Sequence, residues 1–108
     1  MENKILGKIS EVYFGDRDGR LGLWLTLSGS WGVMTDYSCW NPQYIKVTEH
    51  TKWTEDDRKM EMAKIMNKVA ELLKKAKVSN INDLLNIPIE MTSKGNTLSS
   101  WRILEEVL

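Results

Sequence analysis

Thr54-Glu55-Asp56-Asp57-Arg58-Lys59-Met60-Glu61-Met62-Ala63-Lys64-Ile65-Met66-Asn67-Lys68-Val69-Ala70-Glu71-Leu72-Leu73-Lys74-Lys75-Ala76 is the stretch whose reading decides the fold. Met62, Ile65, Met66, Val69, Leu72, Leu73 and Ala76 recur at three- and four-residue steps, which places them on one stripe of a helix and leaves Lys64, Lys68, Glu71 and Lys75 for water. Thr54 with Asp57 has the spacing of a capping box, the acids that follow Thr54 suit the positive end of the helix dipole, and Lys74, Lys75 and Lys77 suit the other end. A helix of about six turns with one apolar stripe needs a single large apolar surface to lie on. The rest of the chain is expected to supply it as a β-sheet.

Upstream, Ile5, Ile9 and Tyr13 alternate with Lys8 and Ser10, which reads as a strand over residues 4–14. Asp18-Gly19 is a hairpin signal, since Gly takes positive φ freely and Asp tolerates it. Leu21, Leu23, Leu25 and Leu27 then alternate with Gly22, Trp24, Thr26 and Ser28, giving a leucine face for the core and a Trp24 face for something else. After the turn Ser28-Gly29-Ser30, the residues Trp31, Val33, Thr35 and Tyr37 alternate as a third strand. Between Ser38 and Trp53 no apolar repeat is sustained. Apart from a short edge strand at Tyr44, Ile45 and Val47, that stretch reads as ordered loop, and loops of such length are often functional.

Downstream of the helix, Ser79 or Asn80 can cap a short helical turn through Asp83, Leu84 and Leu85 that stops before Pro88. Ile87, Ile89 and Met91 alternate as a fourth strand, with Pro88 confined to its start or to an edge. Leu98 to Val107 carries a fifth, whose alternation slips at Ser99-Ser100 as a bulge would make it do. The expected fold is α+β: a five-stranded, mainly antiparallel sheet, built from an N-terminal meander and a C-terminal hairpin, with one long amphipathic helix on one face. A single domain over residues 1–108 follows from the length.

Lys and Arg total 15 and Asp and Glu total 15, so the chain has no global field of the kind that draws duplex DNA. No apolar run reaches membrane-spanning length, and Met1-Glu2-Asn3-Lys4 begins no secretion signal, so a cytoplasmic location is expected. The single Cys39 agrees with a reducing compartment. Five Trp in 108 residues is the one compositional excess, and Trp serves both cores and planar-ligand pockets.

Catalysis has little to stand on. Cys39 and His50 could meet as nucleophile and base, but an incidental thiol and a solvent-facing His is the plainer account, and two such ligands do not make a zinc site. Asp16-Arg17-Asp18-Gly19 opens like a calcium loop yet lacks the later ligands, so it reads as a hairpin tip. Neither a catalytic residue, nor a metal site, nor a cofactor is expected. Binding is better supported. Arg17, Lys46, Lys52 and Arg102 are cations close in sequence to aromatics, and aromatic faces with Arg forks are the elements that stack a base and hold its phosphate. The competing account makes Trp53 and Trp101 core residues and pairs Arg102 with Glu105 or Glu90. Trp31, after a turn, and Trp40, in the irregular stretch, have no pattern that demands burial.

Ile89-Glu90-Met91-Thr92, Gly95-Asn96-Thr97-Leu98, Ser100-Trp101-Arg102-Ile103-Leu104 and Glu106-Val107 together resemble the C-terminal signature of a family of small bacteriophage and prophage proteins, mostly of unassigned function. The similarity extends to Phe14-Gly15, Asp18, Gly22-Leu23, Trp31-Gly32-Val33 and Lys52-Trp53-Thr54-Glu55 with Asp57-Arg58. It departs at Asp16-Arg17-Asp18, where the family carries Tyr-Gln-Asp. The resemblance implies a phage-encoded accessory protein acting in the host bacterial cell. Its concrete form would be an anti-defence sponge: a homo-oligomer that sequesters a nucleotide-derived immune signal without turning it over. Trp31 and Trp40 would stack the base, Arg17 and Arg102 hold phosphates, and Asp18 or Asn96 read ribose or base edges. The alternatives are an inhibitor that sets the aromatic face against a host defence protein, and a weak single-strand nucleic-acid binder, against which the neutral charge argues.

Overall fold

Asp18 and Gly19 take φ of 57° and 80°, the positive pair that a two-residue hairpin turn requires, and they fold the chain back so that Arg17 lies opposite Arg20. In the computed structural model, residues 2–30, 32–40, 54–95 and 97–108 are described, with only the backbone described at Glu2 and Trp40. Strands β1 (Glu2–Arg17), β2 (Arg20–Gly29) and β3 (Gly32–Trp40) form the expected meander, α1 (Glu55–Ala76) follows, and β4 (Pro88–Lys94) and β5 (Thr97–Ile103) form the C-terminal hairpin. All pairings are antiparallel, in the spatial order β3-β2-β1-β4-β5.

β1 holds the two hairpins together because it changes partner along its length. Its N-terminal half pairs with β4 from Glu2 to Lys8, and its C-terminal half pairs with β2 from Gly7 to Arg17. A bulge at Ser10, between the pairs Ile9 with Leu27 and Glu11 with Thr26, bends the strand near the changeover. The Ser10 hydroxyl is satisfied there by the Ser28 hydroxyl at 2.6 Å and the Thr26 carbonyl at 3.3 Å.

The sheet is curled. Laid flat, five strands would hold β3 and β5 about 19 Å apart, yet the Trp101 indole N–H on β5 donates to Asp36 on β3 over 2.7 Å. α1 touches both of these edge strands. Ile9, Leu23, Leu25, Leu27, Ile89, Met91 and Ile103 fill the concave face, and Leu72, Ala76 and Leu84 close it from the helix and from the 3₁₀ turn Ile81–Leu84.

The helix starts as its sequence predicts. Thr54 Oγ1 accepts from the Asp57 backbone N–H at 3.2 Å, and the Thr54 N–H donates to Asp57 Oδ2 at 2.8 Å. The buried stripe is the expected one, with one exception and one addition. Ile65, Leu72 and Ala76 are buried while Met66 is half exposed, and Lys68, expected in water, faces the sheet because Asp36 Oδ2 and Ser38 Oγ, each 3.0 Å away, receive its ammonium. Strand limits differ as well: β1 runs from Glu2 to Arg17, beyond the expected residues 4–14 at both ends. β5 ends at Ile103, where Glu105–Val107 turns into a 3₁₀ helix, and β3 runs on to Trp40, in register with Leu21, where an irregular stretch was expected. The slip at Ser99-Ser100 is a real bulge: Thr92 pairs with Ser100 and Ser93 with Leu98, leaving Ser99 to donate its hydroxyl to the Thr92 carbonyl at 3.0 Å. The short strand expected at Tyr44 to Val47 lies outside the described residues.

Candidate functional site

The face of β1–β3 turned away from the core carries a row of aromatic side chains. Tyr13 pairs with Trp24 and Trp24 with Tyr37, and residues directly opposite in antiparallel strands share a face. The three rings therefore stand in one row across three strands, on the side opposite Leu23 and Leu25. Tyr37 is 62% exposed, Tyr13 39%, and Trp24 between them is half-buried. The Tyr13 and Trp24 rings meet edge to face, with centroids 5.7 Å apart.

Glycines shape the hairpin end of this row. A Cβ on Gly22 would come within 2.1 Å of the Ser38 carbonyl oxygen and 2.5 Å of Cys39 Cα, so only glycine lets β2 and β3 approach this closely. Opposite it in register, Gly15 lies under the Tyr13 ring, which leans toward the turn so that its hydroxyl donates to the Asp16 carbonyl at 2.5 Å; a Cβ here would meet the ring only at ordinary contact distance. That tether fixes the ring. Arg17 then folds back over both aromatics, its guanidinium carbon 4.4 Å from the Tyr13 centroid and 5.1 Å from the Trp24 centroid.

The charges of this face are unevenly spread. Arg17 and Arg20 stand opposite one another at the turn. Asp16 beside them spends Oδ1 on the Gly19 N–H at 3.1 Å. On the far side of the aromatic row, Glu11 accepts from the Thr26 hydroxyl at 3.0 Å. Asp16 and Asp18 offset the two cations in net charge, so it is the guanidinium fork of Arg17, and not the overall charge of the turn, that can receive an anionic group at the hairpin end. Among the described residues Arg17 has no carboxylate partner, whereas Arg58 is held by Glu55 and Arg102 by Glu106 and Glu90.

Of the residues singled out from sequence, Arg17 lies at the aromatic row and Asp18 beside it in the turn. Arg102 is elsewhere. It stands in the row Leu6–Glu90–Arg102, and the stretch of β1 from Leu6 to Arg17 is on the order of 35 Å of strand. One chain therefore does not bring Arg17 and Arg102 together. Bonds from Arg102 to Glu106 and then Glu90, both near 3.1 to 3.2 Å, raise its pKa and occupy its fork, the surface pairing that competed with a phosphate role. Trp40 ends β3 next to β2; Trp31 and Asn96 lie outside the described residues, as do Tyr44, Lys46, His50, Lys52 and Trp53. Trp101 is half-buried and bonded to Asp36, a structural role. Tyr13, Trp24 and Tyr37 are the residues that sequence spacing alone did not join. The signal was present, since counting outward from a two-residue turn at Asp18-Gly19 pairs Tyr13 with Trp24.

Two clefts open along the seam between α1 and the sheet. One, of about 210 Å³, is lined by Asp36, Lys68, Leu72, Trp101 and Ile103 among others; the second, of about 230 Å³, by Ser38, Cys39, Glu61, Lys64, Ile65 and Lys68. In the first, Asp36 Oδ2 already serves both Trp101 and Lys68. Among the described residues no group of His, Cys, Asp and Glu is placed to hold a metal, and no helix is long and apolar enough to cross a membrane. Compared with known protein families, with curated proteins and with solved structures, the chain matches none.

Proposed function

We propose that the chain is a non-catalytic binding protein for nucleobase-bearing ligands, working through the outer face of β1–β3. The observation that carries this reading is the row Tyr13–Trp24–Tyr37 with the Arg17 guanidinium at its end. Exposed rings set on a rigid sheet offer π-faces to a base at little ordering cost, and a guanidinium without a carboxylate partner suits phosphate. Topology lends support by analogy only: a meander, a helix and a hairpin wrapped around a shared β1 resemble the partly open five-stranded barrel of the OB type, whose β2–β3 face commonly takes oligonucleotides.

The role expected of a phage accessory protein in a host cell, sequestering a nucleotide-derived immune signal, is one form of this proposal. Because Arg17 and Arg102 lie far apart in one chain, a sponge that used both would need a site shared between subunits of a homo-oligomer. The extent of the row across three strands favours the other form, a short single strand laid across the strands. Binding a host defence protein is the third possibility, favoured by Leu6 and Val33, which are 69% and 63% exposed on the same face.

Titration of tryptophan fluorescence with a mononucleotide, a cyclic dinucleotide and oligothymidylates of increasing length tests the proposal. Saturable quenching that is abolished by Trp24→Phe with Tyr37→Ala, with ligand recovered unaltered, is the expected result. No quenching by any of them would contradict it and direct attention to a protein partner.

A further inference from the structure

Arg17 occupies ground that a stacked base would need. Its guanidinium lies 4.4 Å from the Tyr13 centroid and 5.1 Å from the Trp24 centroid, over both rings. A neutral base and the guanidinium compete for that surface. We infer that Arg17 makes the face selective for base ligands that carry a phosphate. The entering base displaces the guanidinium from the rings, and the displaced fork closes on the ligand's phosphate. The inference rests on the reading of the outer face as a base-binding surface.

The surroundings of Arg17 fit such an exchange. Among the described residues no carboxylate pairs with it, so its fork is open to a ligand, although Asp16 and Asp18 balance Arg17 and Arg20 in net charge at the turn. Glu11, on the other side of the rings, disfavours phosphate there. Arg102 cannot make the same move without breaking its bonds to Glu106 and Glu90. Leaving an exposed cation–π contact costs roughly two- to fivefold in binding. A charge-assisted, bidentate bond to phosphate returns roughly tenfold or more. A nucleoside incurs the first without the second.

The test is titration of the wild-type protein, Arg17→Ala and Arg17→Met with adenosine, adenosine monophosphate and an oligothymidylate, following the Trp24 indole N–H by NMR. Arg17→Ala should weaken the monophosphate and the oligonucleotide roughly tenfold and tighten adenosine a few-fold. Arg17→Met, which keeps the apolar stem against the rings, should lose phosphate affinity in the same way. Affinity that climbs with oligonucleotide length identifies a strand as the source of the phosphate, and equal affinity for the monophosphate identifies a free nucleotide; either satisfies the inference. Parallel weakening of all three ligands, or no change in any, overturns it and leaves base binding standing. No binding of any ligand to the wild-type protein overturns the base-binding reading itself.

Discussion

Trp101 on β5 and Asp36 on β3 are joined by a 2.7 Å hydrogen bond, although β2, β1 and β4 separate their strands in the sheet. Lys68 of α1 adds a second bond to the same carboxylate oxygen at 3.0 Å. One acid thus ties both sheet edges and the helix. Side chains make this closure, as no ladder pairing links β3 to β5 among the described residues.

Trp101→Phe removes the indole donor but keeps much of the ring packing, and should destabilise the fold by about 1 to 2 kcal/mol, the usual cost of losing a hydrogen bond to a charged group. Asp36→Ala should cost more, because it leaves the indole N–H without its acceptor and the Lys68 ammonium with Ser38 Oγ but no counter-charge. Urea midpoints of the two variants check the order. Equal stability of Asp36→Ala and the wild-type protein would show that the seam is incidental.

Gly22→Ala should be the harsher of two glycine substitutions on the outer face. A methyl group at Gly22 meets β3 backbone at 2.1 Å, which cannot move aside cheaply, and overpacking of this kind costs about 1 to 3 kcal/mol. Gly15→Ala meets only the Tyr13 ring at 3.5 to 3.6 Å, an ordinary contact, and should be near neutral. Thermal melts of the pair give the comparison directly.

Tyr37→Ala should separate binding from folding. The side chain is well exposed, so stability should change by less than about 0.5 kcal/mol, while loss of one stacking surface should weaken a base-bearing ligand by about 1 to 3 kcal/mol. Unchanged affinity would remove Tyr37 from the site.

Acid should weaken the helix from its start. Hydrogen bonds from the Thr54 backbone and then its hydroxyl lower the pKa of Asp57, and Arg58 lowers that of Glu55. Lys75 and Arg102 do the same for Glu71 and Glu106. A carboxylate lowered on folding contributes stability that is fully present above its ordinary value, 4.5 for Glu and 3.8 for Asp, and is lost as pH falls through the lowered one. Unfolding midpoints should therefore fall below about pH 4.5, and Asp57→Asn should flatten that slope. Thr54→Ala should cost about 1 kcal/mol at neutral pH through loss of the cap. Helix content followed by circular dichroism against urea and pH measures both.

Much of the fold was legible because its signals are local. Thr54 with Asp57, Asp18-Gly19, the leucine alternation of β2 and the slip at Ser99 each specify their own backbone. The inward turn of Lys68 was not legible, because Lys68 is drawn in by Asp36, a residue distant in sequence and visible only once the sheet curls. The candidate site was half legible. Arg17 and the outward face of Trp24 could be read from alternation, but the row they form depends on register across two turns. The pairing of Arg102 with Glu106 depends on where β5 gives way to the 3₁₀ turn.

The most direct test of the account uses the indole N–H signals of the five tryptophans. On titration with an oligothymidylate, the Trp24 indole signal should shift progressively and saturate, together with the amides of Tyr13, Arg17 and Tyr37, while the Trp101 indole, bonded to Asp36 inside the seam, stays in place. Movement of Trp101 and Lys68 with Trp24 unmoved would place any ligand in the cleft beneath the helix and contradict the outer-face account.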